Sequence, residues 1–147
     1  MTQEEVSLAD VTTLVAEGSV IEGNVYRVSV CGSKLQHFIL ADSALFFFSS
    51  ASDANNWAKA PEQSEHLLTR QLVIAPQLRC TELVARGDQC EFKIQKNRSF
   101  MSACRKFATI LVLSGSKSDL AKLWHAVNTV IVRKRAVLPF EEMNRLR

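Results

Sequence analysis

The chain has 147 residues, 47% hydrophobic and 22% charged, with 5 Gly and 3 Pro, the composition of one ordinary folded domain that buries roughly 70% of its unfolded surface without a metal or disulfides. Collagen-like, low-complexity and wholly disordered classes are excluded, and the longest apolar run, residues 44–48, is far short of the roughly 20 residues of a membrane helix. The net charge of +3 conceals an asymmetry: residues 1–73 carry 4 Lys/Arg against 9 Asp/Glu, and residues 74–147 carry 14 against 6, so one side of the molecule is basic and suited to acidic lipid head groups, an acidic protein or, less readily, nucleic acid.

The N-terminus lacks a basic region followed by an apolar stretch, which points to a cytosolic protein without a secretory signal. In residues 2–17, Val6, Leu8, Val11, Leu14 and Val15 fall near helical spacing behind Glu4 and Glu5, which predicts a short helix ended by Gly18. Residues 20–30 then read as a strand, Cys31-Gly32-Ser33 as a turn and residues 34–41 as a second strand, together a hairpin. After a break at Asp42-Ser43, residues 44–49 form a third strand dominated by Phe46, Phe47 and Phe48. Connections this short make the three strands antiparallel.

Residues 50–64 are polar and small around Trp57, with Asn55, Asn56 and Pro61, and read as a loop insertion. Strands resume at 67–74, 78–85, 90–95 and 108–113, separated by Ala75-Pro76, Arg86-Gly87-Asp88 and the basic segment 96–106. That makes seven. Ser116-Lys117-Ser118-Asp119 has capping-box spacing. Leu120, Leu123, Trp124, Val127, Val130, Ile131 and Lys134 follow it at helical intervals, predicting a helix whose apolar stripe, with Trp124 near its centre, is buried. Pro139 marks its outer limit. The organisation expected is an N-terminal helical segment (1–18), one domain (19–135) and a C-terminal tail (136–147).

Cys31, Cys80, Cys90 and Cys104 are never closer than ten residues and form no CxxC pair, so they read as small buried thiols in or beside strands of a reduced cytosolic protein rather than as a zinc site.

Seven strands and one C-terminal amphipathic helix suggest a mainly β barrel of two near-orthogonal antiparallel sheets capped by that helix. The order resembles the pleckstrin-homology (PH) fold, and several motifs match. Glu22-Gly23-Asn24-Val25-Tyr26-Arg27 is similar to the family's opening strand. The run from Phe38 to Phe46 is similar to its second hairpin, with Leu40, Asp42 and Leu45 in the expected places. Trp124 stands where the family has its hallmark tryptophan, flanked on the buried stripe by Leu120 and Val127. The resemblance covers about residues 20–133. It is nearest to the PH domains that follow the Dbl-homology domain of Rho-type guanine-nucleotide exchange factors, through Lys34-Leu35-Gln36 and Leu72-Val73-Ile74. The helix at 2–17 is too short to contain the exchange-catalysing bundle.

What the resemblance implies is a phosphoinositide site built from a basic residue late in the first strand and others early in the second, here Arg27 and Lys34, with His37 beside them. The family pattern adds a further Arg or Lys soon after Lys34, and here Leu35, Gln36 and His37 follow instead, so weak and unselective lipid contact is expected. Solvated strand ends are the alternative. A second basic patch, Lys93, Lys96, Arg98, Arg105 and Lys106, surrounds Phe100 and Met101; it suits an anionic membrane or an acidic protein surface. Arg133-Lys134-Arg135 reads first as favourable charge at a helix C-terminus.

Catalytic signatures do not emerge. His37, His66 and His125 are scattered without metal-ligand spacing, Ser114-Gly115-Ser116 lacks the nucleophile-elbow pattern, and neither GxxxxGK[ST] nor GxGxxG occurs. The expectation is a non-catalytic signalling module without metal or cofactor, which contacts anionic phospholipid head groups and a signalling protein or small-GTPase exchange-factor assembly, and no nucleic acid. The rival is a protein-interaction or autoinhibitory module of the same fold that ignores lipid.

Overall fold

The computed structural model describes residues 21–41, 43–97 and 107–137. The helix expected at 2–17, the tail beyond residue 137 and most of the second basic patch (Arg98, Arg105 and Lys106), with Cys104, lie outside these residues.

Eight strands and two α-helices follow in order among the described residues: β1 (Ile21–Ser29), β2 (Gly32–Ala41), β3 (Ala44–Phe48), α1 (Ala51–Lys59), β4 (Leu68–Val73), β5 (Leu78–Cys80), β6 (Val84–Arg86), β7 (Gln89–Asn97), β8 (Phe107–Ser116) and α2 (Lys117–Ala136). All pairings are antiparallel, along the path β4-β3-β2-β1-β8-β7-β5, with β6 also on β7. The two halves meet at β1, which pairs with β2 from Ile21 to Ser29 but with β8 only through Tyr26 and Arg27. No ladder joins β4 to β5 among the described residues, so the sheet is open. This is the mainly β architecture with a C-terminal helix that the element order implies, but with eight strands in one open sheet where seven strands in a barrel of two near-orthogonal sheets were expected.

Alternation along the strands explains how one sheet encloses a core. Val25, Phe38, Leu40, Leu45 and Phe47 from one half and Phe92, Ile94, Leu111 and Leu113 from the other share a single buried cluster. Helix α2 closes it with Leu120, Leu123, Val127, Val130 and Ile131. The predicted cap forms, Ser116 Oγ accepting from Asp119 N at 3.3 Å. Trp124 is partly buried against the core, and its Nε1 donates to Thr81 O at 2.9 Å. Gly23 allows the helix start to approach β1: a Cβ there would stand 3.0 Å from Asp119 Oδ1 and 3.1 Å from the Phe38 ring.

Three expectations need correction. Residues 50–64 are not an irregular loop. Ser50 Oγ accepts from Asp53 N and caps α1, and two 3₁₀ turns, Pro61–Gln63 and Glu65–Leu67, follow. Helix α1 lays Ala54, Trp57 and Ala58 on the outer face of the β2–β3 hairpin, over Ile39, Ala41, Ala44, Phe46 and Phe48. Trp57 is fully buried, its ring centred 5.0 Å from Phe46 and 5.1 Å from Phe48. The adjacent phenylalanines of β3 therefore serve two cores, Phe47 inside the sheet and Phe46 and Phe48 beneath α1.

Second, the strand expected at 78–85 is divided into β5 and β6. The Thr81 side chain takes a ladder position there, its Oγ1 accepting from Lys93 N at 2.8 Å while Thr81 N donates to Lys93 O at 2.9 Å. Third, the cysteines are not uniformly buried thiols, since Cys31 is exposed at the tip of the β1–β2 hairpin while Cys80 is intermediate and Cys90 buried.

Candidate functional site

Directly opposed residues of an antiparallel pair point to the same face. Arg27 on β1 stands opposite Lys34 on β2, and both share the parity of Val25, Phe38 and Leu40, whose side chains form the core. Near the hairpin tip this inward face has run out of apolar residues, and it turns cationic at the open end of the sheet. Gly32, with φ +119°, supplies the left-handed backbone that starts β2. Ser29 Oγ donates to Gly32 O at 3.1 Å and accepts from Cys31 N at 3.3 Å, which holds the two-residue turn. Val30 at its tip is fully exposed.

A third cation arrives from β4. Arg70 lies opposite Phe47, again on the inward face, and its Nη2 donates to Ile110 O on β8 at 3.4 Å. Arg27, Lys34 and Arg70 thus line one cleft of about 310 Å³, completed by Val28, Ser29 and Gly32 on one side and residues 109–112 of β8 on the other. Among the described residues no carboxylate lines it.

Electrostatically the cleft is unsatisfied. Arg27 packs its guanidinium over the Phe47 ring, 5.6 Å from the centroid, and its Nη1 is buried without a hydrogen-bond partner. Burial first, and then the charge of Arg70, push the Arg27 guanidinium down from its ordinary value; arginine remains protonated throughout the physiological range. A buried donor without an acceptor costs about 1–3 kcal/mol, and two like charges add to that. An anion entering between them would relieve both. One inward position deeper, Gln36 Oε1 is also buried without a partner.

His37 is not brought to this cleft. Three positions after Lys34, it leaves the opposite face of β2, where its Nδ1 lies 3.2 Å from Asn24 Oδ1 and its Nε2 3.2 Å from Glu22 Oε2. Lys93 and Lys96 are both exposed on β7, but three residues apart they leave opposite faces of the strand. Neither lines the Arg27 cleft. At the end of α2, Arg135 donates to Pro76 O and Leu78 O, each at 3.0 Å, which ties the helix to the start of β5. Among the described residues no three His, Cys, Asp or Glu side chains gather into a metal-holding group, and no helix is long and apolar enough to cross a membrane.

Arg70 is the cleft residue that the motif reading missed. Its signal was present in the alternation: Arg70, Leu72 and Ile74 share one parity and the inward face, so a lone arginine stands on the apolar face of its strand, whereas Leu68, beyond an irregularity in the β3–β4 pairing, packs with the outer cluster.

No protein-family model matches the chain, and no curated protein matches it. Among solved structures it is similar to the crystal structure of the Slm1 PH domain in complex with inositol-4-phosphate, at 11% sequence identity and a TM-score of 0.49, over 75% of this chain and 93% of that one. A likeness at that level says nothing about which residues here meet a ligand.

Proposed function

We propose that the cleft between β1, β2, β4 and β8 binds the phosphorylated head groups of anionic lipids, and that the chain is a non-catalytic PH-like module which holds a protein at a membrane surface. The observation that carries this reading is the buried, unpartnered Arg27 Nη1 facing Arg70 in a cleft that no carboxylate among the described residues lines. A structural arginine is ordinarily paired when buried; this one is left ready for an acceptor. The volume of about 310 Å³ is at the small end of ligand sites, suited to a phosphorylated ring. Val30 at the hairpin tip is placed to rest in the interface beside a bound head group.

Each cation near an anionic surface contributes about 1 kcal/mol, so three give modest affinity that salt weakens. Association with a Rho-type exchange-factor assembly at the inner face of a membrane is the finer form of the proposal. It is supported by the Lys34-Leu35-Gln36 and Leu72-Val73-Ile74 motifs of the sequence.

Vesicle co-sedimentation tests the reading, with neutral vesicles, vesicles containing phosphatidylserine and vesicles containing single phosphoinositides, at low and near-physiological salt. Binding to phosphoinositide vesicles should fall about fivefold with Arg70→Ala, from the same figure of about 1 kcal/mol per charge, and further with Arg27→Ala. His37→Ala should leave it within about twofold. Absence of sedimentation under every condition would remove the membrane role and favour the protein-interaction module.

A further inference from the structure

The β1–β2 hairpin projects beyond the rest of the sheet. Strand β1 leaves β8 after Arg27, and β2 meets β3 only from His37 onward. Among the described strands, residues 28–36 therefore pair only within the hairpin. The two faces of this projection differ in chemistry. Its charges, Arg27 and Lys34, stand opposite each other on the inner face and line the cleft, and residues 28–33 between them carry none. On the outer face the opposed pairs run from Asn24 with His37, through Tyr26 with Leu35, to Val28 with Ser33. Val30 stands in the turn beyond them.

Leu35 is 55% exposed and Val30 is fully exposed. Single apolar side chains in water are ordinary on a folded surface; what distinguishes these is their order along the hairpin. Glu22, the carboxylate on the outer face, lies at the base, about 27 Å of strand from Val30, and Tyr26 lies about 14 Å from it. Polarity falls toward the tip, and the one tyrosine of the chain marks the change, a residue suited to the boundary between water and hydrocarbon. A patch made for another protein has an apolar centre inside a polar rim. Here the apolar residues occupy the extremity and the cations flank them on one side, which fits a planar anionic surface.

We infer that the β1–β2 hairpin enters an anionic bilayer obliquely, outer face down, with Val30, Val28 and Leu35 in the acyl boundary and Tyr26 at the level of the head groups. The inference rests on the cleft reading above, since Arg27 and Lys34 then lie on the upper side of the same wedge, where the phosphates are. A 14 Å stretch of hairpin inclined halfway to the surface descends about 10 Å, the depth at which amphipathic elements settle in a membrane interface. The hairpin thereby adds an apolar contact, which salt does not screen, to a cationic one that salt weakens. It also fixes how the sheet stands on the membrane.

Amide NMR of the full-length chain on bicelles that contain a phosphoinositide and a spin-labelled acyl chain tests this. The expected broadening is strongest at residues 28–33, weaker at Tyr26 and Leu35, and missing at Glu22. Val30→Ser with Leu35→Ser, both exposed positions, should weaken co-sedimentation with phosphoinositide vesicles about tenfold. The same variant should bind a soluble inositol phosphate within about twofold of the natural chain. Val132→Ser, an exposed apolar position on α2, should change neither. Broadening centred away from the hairpin, or vesicle binding by the double serine variant within about twofold of the natural chain, would overturn the insertion and leave the cleft reading standing. A natural chain that binds no soluble inositol phosphate would instead overturn the cleft reading.

Discussion

Arg27 carries two opposed consequences of one position. It stands on the inward parity of β1, where the preceding inward residue, Val25, is fully buried, yet its guanidinium lacks an acceptor for Nη1 and faces Arg70. Replacing it with methionine keeps the contact with Phe47 and removes the unsatisfied donor. Arg27→Met is therefore expected to raise unfolding stability by about 1 kcal/mol while lowering phosphoinositide-vesicle binding, a sign reversal that urea unfolding and co-sedimentation together check. A variant that loses both would show that Arg27 is structural. Cys80 gives a second prediction. Burial pushes its thiol up to about 12 from 9.0, so the unfolded chain gives up this proton at lower pH than the folded one. The stability that follows is intact below about pH 9 and lost as pH rises toward about 12. Cys80→Ala should flatten the decline in unfolding midpoint between about pH 8 and pH 10.5. In alkylation mapping at about pH 8, exposed Cys31 should react far faster than Cys80 or buried Cys90.

At the scale of elements, legibility followed the range of the forces that set each one. The β1–β2 hairpin and α2 are specified locally, by alternation, turn residues and the Ser116 cap, and the sequence carries those signals plainly. Helix α1 is different. Its composition is polar, with Asn55 and Asn56 mid-segment, and such residues are weak helix formers. What stabilises it is the apolar surface of Ile39, Phe46 and Phe48, supplied by the preceding strands and not by its own residues. The Ser50-x-x-Asp53 cap and the Ala54, Trp57, Ala58 spacing were its only local signs. Trp57→Ala should accordingly cost about 3–5 kcal/mol and Ser50→Ala about 1 kcal/mol, measured as shifts in denaturant midpoint. Effects below about 0.5 kcal/mol for both, as expected of an exposed loop, would argue against this packing. The interruption between β5 and β6 was likewise hidden, because it depends on Thr81 meeting β7.

For the whole molecule, the open sheet brings distant cations to one end. Arg27 and Lys34 are joined by a hairpin that places them opposite each other, so local sequence is enough to pair them. Arg70 reaches them only because β3 and β4 fold back beside β2, and its bond to Ile110 spans forty residues of sequence; no local pattern encodes that meeting. His37 illustrates the converse, close to Lys34 in sequence and on the opposite face of the strand. The most direct test of the cleft is an amide NMR titration of the full-length chain with a soluble inositol phosphate, which separates head-group chemistry from the membrane. The account predicts saturable shifts concentrated at residues 27–34, at Arg70 and at residues 109–112, strongly weakened by Arg70→Ala. Shifts centred instead on Lys93 and Lys96, or none at concentrations that saturate a millimolar site, would contradict it.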